Sequence, residues 1–413
     1  MRLLLISADY PPIRSGESSH AYYLSVNLAR KGNEVTVLTS AIEGVARPAE
    51  IDVQAIMKGW KWKELPRLAL AIRQIKPDGV LLIFFSTMYE AHPMMTFAAN
   101  IAKAVVPRVS FVTQIEHICE HWKGSWTTRI VRKGIQKWVG GQGVDYQYGT
   151  LLRDSDRIII LSEAHRPLLR VAKGFSDAKT TLVPPPPIMA MAPDADGTGR
   201  IRVRDQLSIA QTDIVLLYYG LIYQGKGLET LLEAVSKVAQ ARPNLRLVVV
   251  GGYIQRLFHS QENCDSRSYE QEMVALTRRL GIEKAVIWSG FCDPQKEQAS
   301  LLFRGADICV LPFDDGLHLN NSSYAAAACH CLPIISTIDR RPPPYGTEQE
   351  FVHKKNVYLC EARNALSLAE AIHTLIEQEN LRETLRQGAS VMAETRFSWE
   401  KATELTLAAL AQE

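Results

Sequence analysis

The sequence predicts an α/β protein made of two Rossmann-like halves. Three observations lead there. Short apolar runs alternate with helical stretches over the whole length, and the alternation runs twice. A chain of 413 residues is too long for one core. A stiff proline run followed by a turn-rich segment separates the two rounds.

In the first half the runs Leu3–Ile6, Val35–Leu38, Val80–Phe85, Val109–Val112 and Ile158–Leu161 are continuous and rich in Val and Ile. Strands buried on both faces of a parallel sheet have this composition. Ala21, Leu24 and Leu28 share one helical face, and Arg30-Lys31-Gly32 supplies a basic last turn and a glycine stop. The second half repeats the scheme at Ile214–Tyr219, Leu245–Val250, Ala285–Trp288, Ile308–Leu311 and Ile334–Ser336, with Leu228, Leu231, Leu232, Val235 and Val238 on one face of the intervening helix. Pro184–Pro187 and the turn-rich residues 194–199 mark the join. The reading is a first domain over 1–190, rejoined by a terminal helix at 397–413, and a second over 191–396.

Composition removes several classes of function. The net charge is only +3, so bulk electrostatic binding of nucleic acid is not expected. No apolar run approaches the roughly 20 residues of a membrane span. The opening residues lack a signal-peptide pattern, and seven scattered cysteines suit reduced thiols, so a cytoplasmic protein is expected. Cys329-His330-Cys331 has the wrong spacing for zinc and reads as a packed helix end.

Ligands of open α/β sheets bind beyond the carboxyl ends of the strands. Three loops there carry chemistry. In PPIRSGESS at 11–19, Gly16 admits a ligand close to the backbone, Ser18 or Ser19 caps the helix, and the free N–H groups suit an anion. A plain turn has the same sequence. GLIYQGKG at 220–227 is not a P-loop, but Gly220 and Lys226 suit a diphosphate; the alternative is an exposed lysine in a glycine-rich turn. PFDDGLHLNNSS at 312–323 offers Asp315 and Gly316 to sugar hydroxyls, with Ser322, Ser323 and the helix start for phosphate. A merely capped helix is the alternative. Asp154-Ser-Asp156 precedes a strand, where a metal-binding pair would point the wrong way, and reads as structural.

Together these segments resemble the retaining glycosyltransferases of the GT-B fold, the family 4 group (glycosyl transferases group 1). PPIRSGES with LARKGNEVTVLTS is similar to the family's front loop and "GHEVTV" segment, with Asn33 for the usual His. LLRDSDRIIILSEAHRPLL, GLIYQGKGLETLLEAV, LRLVVVGG, CLPIIST and RFSWEKATE resemble further family motifs, in order. The resemblance implies two Rossmann-like domains facing each other across a cleft, with the closing helix crossing back to the first. It implies transfer of a sugar from a nucleotide-diphosphate-sugar donor to a glycan, lipid-linked or small-molecule acceptor. Configuration would be retained without a metal ion or other cofactor.

The residue-by-residue match has gaps. The family's diphosphate-binding Arg is Leu221, though Lys226 is kept. Asp315 stands for the first of the paired glutamates; Ala326 or Ser323, depending on the direction of counting, stands for the second. The chain is closer to a branch with a "DG...S" loop. The family's acceptor-side His falls near Ile115, where the sequence offers Glu116 and His117. The expected catalytic set is therefore His117, Glu116, Lys226 and Asp315. The expected donor-binding set is Gly16, Gly220, Lys226, Gly252, Gly316, Ser322 and Ser323. The lost Arg and Glu leave a binding or scaffold protein of the same shape as a rival, and an epimerase or phosphorylase as another; no lysine is placed for a pyridoxal Schiff base. Trp60 and Trp62 among Lys58, Lys61 and Lys63, with Arg129, Arg132, Lys133 and Lys137, suit weak salt-sensitive contact with an anionic membrane; solvated charge on ordinary surface helices is the alternative.

Overall fold

The computed structural model describes residues 1–118, 148–172, 174–193, 197–256, 260–341 and 346–411. The cationic segment Arg129–Lys137 lies outside them. The chain divides into two compact units, passing from one to the other between Pro184 and Pro185. The first also takes in Arg256–Ser260 and Trp399–Glu413.

The first unit is built on β1 (Arg2–Ile6), β2 (Glu34–Ser40), β3 (Asp52–Met57), β4 (Gly79–Phe84), β5 (Ser110–Ile115), β6 (Arg157–Ile160) and β7 (Thr180–Leu182). They form one parallel sheet in the order β3-β2-β1-β4-β5-β6-β7. Leu4, Ile6, Val37, Leu82, Phe111 and Ile159 are wholly buried, as central strands covered on both faces require. The helix Gly16–Arg30 buries Ala21, Leu24 and Leu28, the face read from the sequence. Ser15, not Ser18 or Ser19, is its N-cap: the Ser15 hydroxyl accepts the Ser18 N–H at 3.0 Å and donates to Asp9 at 3.1 Å. The helix begins one turn earlier than the serine pair suggested, because Ser15 alone has the extended backbone that a cap needs.

The helix Trp399–Leu410 belongs to this unit and buries Ala402, Thr403, Thr406, Ala409 and Leu410. A Cβ on Gly79, at the start of β4, would lie 3.0 Å from a Leu410 methyl, so the helix packs closely there. Lys31 pairs with Glu400 and Glu404 at 3.2 Å. That contact is exposed and contributes little beside the apolar burial.

The second unit holds β8 (Ile214–Tyr219), β9 (Leu245–Val250), β10 (Val286–Gly290), β11 (Ile308–Leu311), β12 (Ile334–Ile338) and β13 (Tyr358–Glu361). These also pair in parallel, in the order β10-β9-β8-β11-β12-β13. The helix Leu228–Ala241 buries Leu228, Leu231, Leu232, Val235 and Val238 against them. Burying each such side chain contributes about 1.5–3 kcal/mol relative to exposure.

In both sheets the strand order reverses once, between β1 and β4 in the first and between β8 and β11 in the second. Loops leaving adjacent strands at such a point run to opposite sides and leave a crevice. The loops after β8 and β11 are the glycine-rich and Asp-Asp-Gly segments.

Candidate active site

The loops after β8 and β11 touch at the reversal point of the second sheet. Asp314 N–H donates to the Gly225 carbonyl at 3.0 Å. Gly227 has φ +69°, and a Cβ there would lie 1.8 Å from the Pro312 carbonyl oxygen. Only glycine lets the two loops approach this closely. Gly251, at the end of β9, packs the same way against the Gly220 carbonyl, 1.9 Å from where its Cβ would be. The Ile222 N–H donates to the Gly252 carbonyl at 2.9 Å. Gly220, Gly252, Lys226, Asp315 and Gly316 thus come from loops at one end of one sheet.

The Lys226 ammonium lies 4.9 Å from the Phe313 ring centre and 5.1 Å from that of Tyr223. Among the described residues no carboxylate pairs with it. Asp315 is exposed. Its neighbour Asp314 meets Arg363 at 3.2 Å. Burial pushes the Asp314 carboxyl above the ordinary range, Glu229 and Asp315 add to the shift, and Arg363 opposes it. Glu229, in the first turn after Gly227, accepts a hydrogen bond from the Tyr269 hydroxyl. Glu229, Tyr269 and Arg363 were not singled out from the sequence. Glu229 was legible as an acidic residue just past a glycine-rich loop, whereas nothing local points to Tyr269 or Arg363.

Ser322 opens the helix Ser322–Cys329, whose N-cap is Asn321, and Ser323 is buried. Ala326 is buried in the same helix. Leu221 is half-buried, and its carbonyl accepts from the Tyr218 hydroxyl at 3.3 Å.

In the first unit, Glu116 and His117 follow β5. Glu116 is 9% exposed and His117 is open to solvent. The Glu116 carboxylate meets His20 Nδ1 at 3.0 Å and accepts from the Gln114 amide at 2.6 Å. His117 packs edge-on to Phe85, ring centres 5.4 Å apart. The Arg256 guanidinium covers the same Phe85 at 4.9 Å and pairs with Glu17 at 3.0 Å. Burial works against the Glu17 charge, but Arg256, with help from His117, holds its pKa below the usual range. Gly16 has open space where a Cβ would be, yet the first helical turn beside it already carries the Glu17 carboxylate. His20, Gln114, Glu17 and Arg256 were missed in the sequence; a histidine one turn into the first helix was the available signal.

One sequence expectation changes here. Trp60 is wholly buried, its indole N–H donating to Ser40 at 2.9 Å and its ring edge-on to Tyr89. It is a core residue and offers nothing to a membrane surface. Lys61 pairs with Glu90 at 2.7 Å and stays exposed together with Lys58, Trp62 and Lys63. Asp156 binds Lys103 at 2.7 Å and the Phe111 N–H at 2.8 Å, and Asp154 binds Arg153 and Asn100.

His330, the centre of the Cys-His-Cys segment, spends both ring nitrogens on the protein. Nδ1 donates to the Ala326 carbonyl and Nε2 accepts from Ser300, each at 2.7 Å. The ring stacks on Phe303. Burial pushes its pKa down to about 4. The folded value lies below the unfolded one, so the neutral ring's contribution is present above about pH 6.5 and lost as pH falls through the folded value. Its share of acid destabilisation should be about 3 kcal/mol. Urea unfolding at several pH values tests this: His330→Gln should flatten the stability slope between those limits, and an unchanged slope would contradict it.

Residues 200–392 match the model of the family described as Glycosyl transferases group 1. A D-inositol 3-phosphate glycosyltransferase of Segniliparus rotundus is 25% identical over 63% of this chain and 53% of its own length. A glycogen synthase of Mycobacterium tuberculosis is 21% identical over 98% of this chain and 93% of its own. The chain spans about half the length of the first curated relatives it matches. Among solved structures, Anabaena HepE in complex with UDP aligns over all of both chains with TM-score 0.71 at 17% identity. Sucrose-phosphate synthase of Thermosynechococcus elongatus aligns with TM-score 0.70 at 17% identity, over 100% of this chain and 98% of its own. The fold is therefore GT-B, and the glycosyl transferases group 1 model matches the part of it formed by residues 200–392.

Proposed function

We propose that the chain is a glycosyltransferase that moves a sugar from a nucleoside-diphosphate-sugar to an acceptor. The observation that carries this is Lys226: a cation at the reversal point of a parallel sheet, over two aromatic rings, with no carboxylate paired to it among the described residues. The family match spans this loop and the Asp-Asp-Gly loop. HepE, of the same fold, has been crystallised with UDP and with UDP-glucose.

In this reading Lys226 takes the diphosphate as a point charge; the Ser322 N–H already donates to the Asn320 carbonyl at 3.1 Å, so the helix start contributes through the Ser323 N–H and the Ser322 hydroxyl. Asp315 and Gly316 meet the sugar, and Gly220 and Gly252 shape the loops around the nucleotide. Negative charge grows on the leaving diphosphate as the glycosidic bond breaks, and a fixed cation there lowers the barrier. His117 and Glu116 serve the acceptor. Retention of configuration and metal independence are part of the same proposal and rest on the resemblance.

Lys226→Ala should weaken binding of a nucleoside diphosphate by a factor on the order of 10–100, with little change for the nucleoside, because charge-assisted contacts to phosphate contribute about 1.5–3 kcal/mol. Calorimetry with both ligands decides: equal losses would make Lys226 a turn residue.

A second reading is a nucleotide-sugar-binding protein with impaired catalysis. Leu221 offers no charge to a diphosphate, and Ala326, buried in its helix, offers no carboxylate to a ligand. Tight nucleotide binding without transfer or donor hydrolysis would select it.

A further inference from the structure

His318 follows the Asp-Asp-Gly turn after β11, and its ring sits among acceptors. Nδ1 lies 3.2 Å from the Glu348 carboxylate. Nε2 lies 3.2 Å from the Asp315 carbonyl oxygen and 3.5 Å from the Asp339 carboxylate. A carbonyl oxygen can only accept, and so can an ionised carboxylate. A neutral imidazole has one N–H and one lone pair, so one edge would set lone pair against lone pair. Only the imidazolium satisfies both edges.

The surroundings make this a tie between two loops. Glu348 also accepts from the Leu319 N–H at 3.2 Å, and the Asn321 side chain accepts from the His318 N–H at 2.7 Å. Arg341 forks onto Asp339 at 3.0 and 2.8 Å, which offsets part of that carboxylate's charge. Gly316 has φ +83°, and a Cβ on it would lie 2.5 Å from the Asp339 nitrogen, so the turn presses on the chain after β12 without slack. Burial disfavours the charge on His318, but Glu348 and Asp339 outweigh it and hold its pKa above the ordinary value.

We propose that His318 is a positioning residue: as imidazolium it ties the Asp315-Gly316 turn to the segment after β12, and its deprotonation loosens the turn and weakens donor binding. The inference rests on the reading of this crevice as the donor site. The sign follows from a raised folded pKa. The tie is complete below about pH 6.5, the unfolded value, and is lost as pH rises through the folded value.

The full chain, labelled with ¹⁵N-histidine, is titrated by long-range ¹H–¹⁵N spectra. In parallel, the dissociation constant of UDP is measured by calorimetry at about pH 6 and about pH 8.5, for the wild type and His318→Gln. UDP itself titrates in this range, so the readout is the ratio of the two proteins' constants at each pH. The His318 ring should keep both protons above the usual histidine midpoint. His318→Gln should bind UDP roughly tenfold more weakly at the lower pH, with the ratio falling toward one at the higher pH. A neutral ring at the lower pH overturns the proposal without any variant, and so does a ratio that does not change with pH. A doubly protonated ring with no UDP binding in either protein overturns the donor reading instead, and with it the functional half of this one.

Discussion

Gly227→Ala should remove nucleotide binding and destabilise the second unit by about 3 kcal/mol or more, the sum of left-handed strain and of overlap in a packed site. The strain follows from φ +69°, where a Cβ meets the backbone. The overlap is specific to this place, because the added carbon would sit 1.8 Å from the Pro312 carbonyl oxygen. Neither loop can retreat cheaply. Asp314 N–H is held by the Gly225 carbonyl, and Leu228 begins the buried face of the next helix. The control is Gly225→Ala, two residues earlier. Gly225 has φ +96° but nothing within 4 Å of its Cβ position, so it registers strain alone, about 1–2 kcal/mol. Urea unfolding followed by a probe in the second unit, with UDP calorimetry, measures both variants. If the two lose the same amount, the loops after β8 and β11 are not locked together and the crevice has no fixed shape.

That junction shows how much of the site was legible. The loops announced themselves through glycine, proline and paired carboxylates between apolar runs, since those residues are what a chain needs to turn beyond a parallel strand. Their partners did not. His318 and Glu348 are 30 residues apart and His20 and Glu116 are 96 apart, so only the fold brings each pair together. Charge and aromaticity at residues 58–63 read as a surface feature, yet Trp60 fills the core because its N–H finds Ser40.

The strands divide along the same physical line. All ten anticipated runs became strands, with ends that agree to three residues or better. The three that were missed, β3, β7 and β13, lie at sheet edges. Edge strands have a neighbour on one side only and need not be apolar throughout: β3 reads Asp-Val-Gln-Ala-Ile-Met and β7 Thr-Thr-Leu, with no fully buried run in either. Continuous apolarity reports burial on both faces, and where burial is partial the signal fades.

Glu116 and His117 should fail in opposite ways when replaced. The structure separates two neighbours that the sequence left as alternatives. Extended backbone sends adjacent side chains to opposite sides, and here one is inside and one outside. Glu116→Gln removes a buried acceptor shared by His20 and Gln114, and leaving a buried polar group unsatisfied costs about 1–3 kcal/mol. Its effect on turnover should therefore come with lost stability. A double-mutant cycle with His20→Ala should show coupling between the two residues of about 1 kcal/mol or more. His117→Ala takes an exposed ring from the edge of Phe85, and stability should stay within about 0.5 kcal/mol. If His117 holds the acceptor or moves its proton, turnover should still fall by a factor on the order of 10² or more. Donor affinity should be unchanged, because every donor contact proposed here except Gly16 lies in the second unit. Turnover, UDP affinity and urea midpoints measured on both variants separate these outcomes. Full turnover in His117→Ala, with a loss in Glu116→Gln larger than its stability change explains, would move the acceptor role to the buried carboxylate. Full turnover in both would remove the loop after β5 from the reaction.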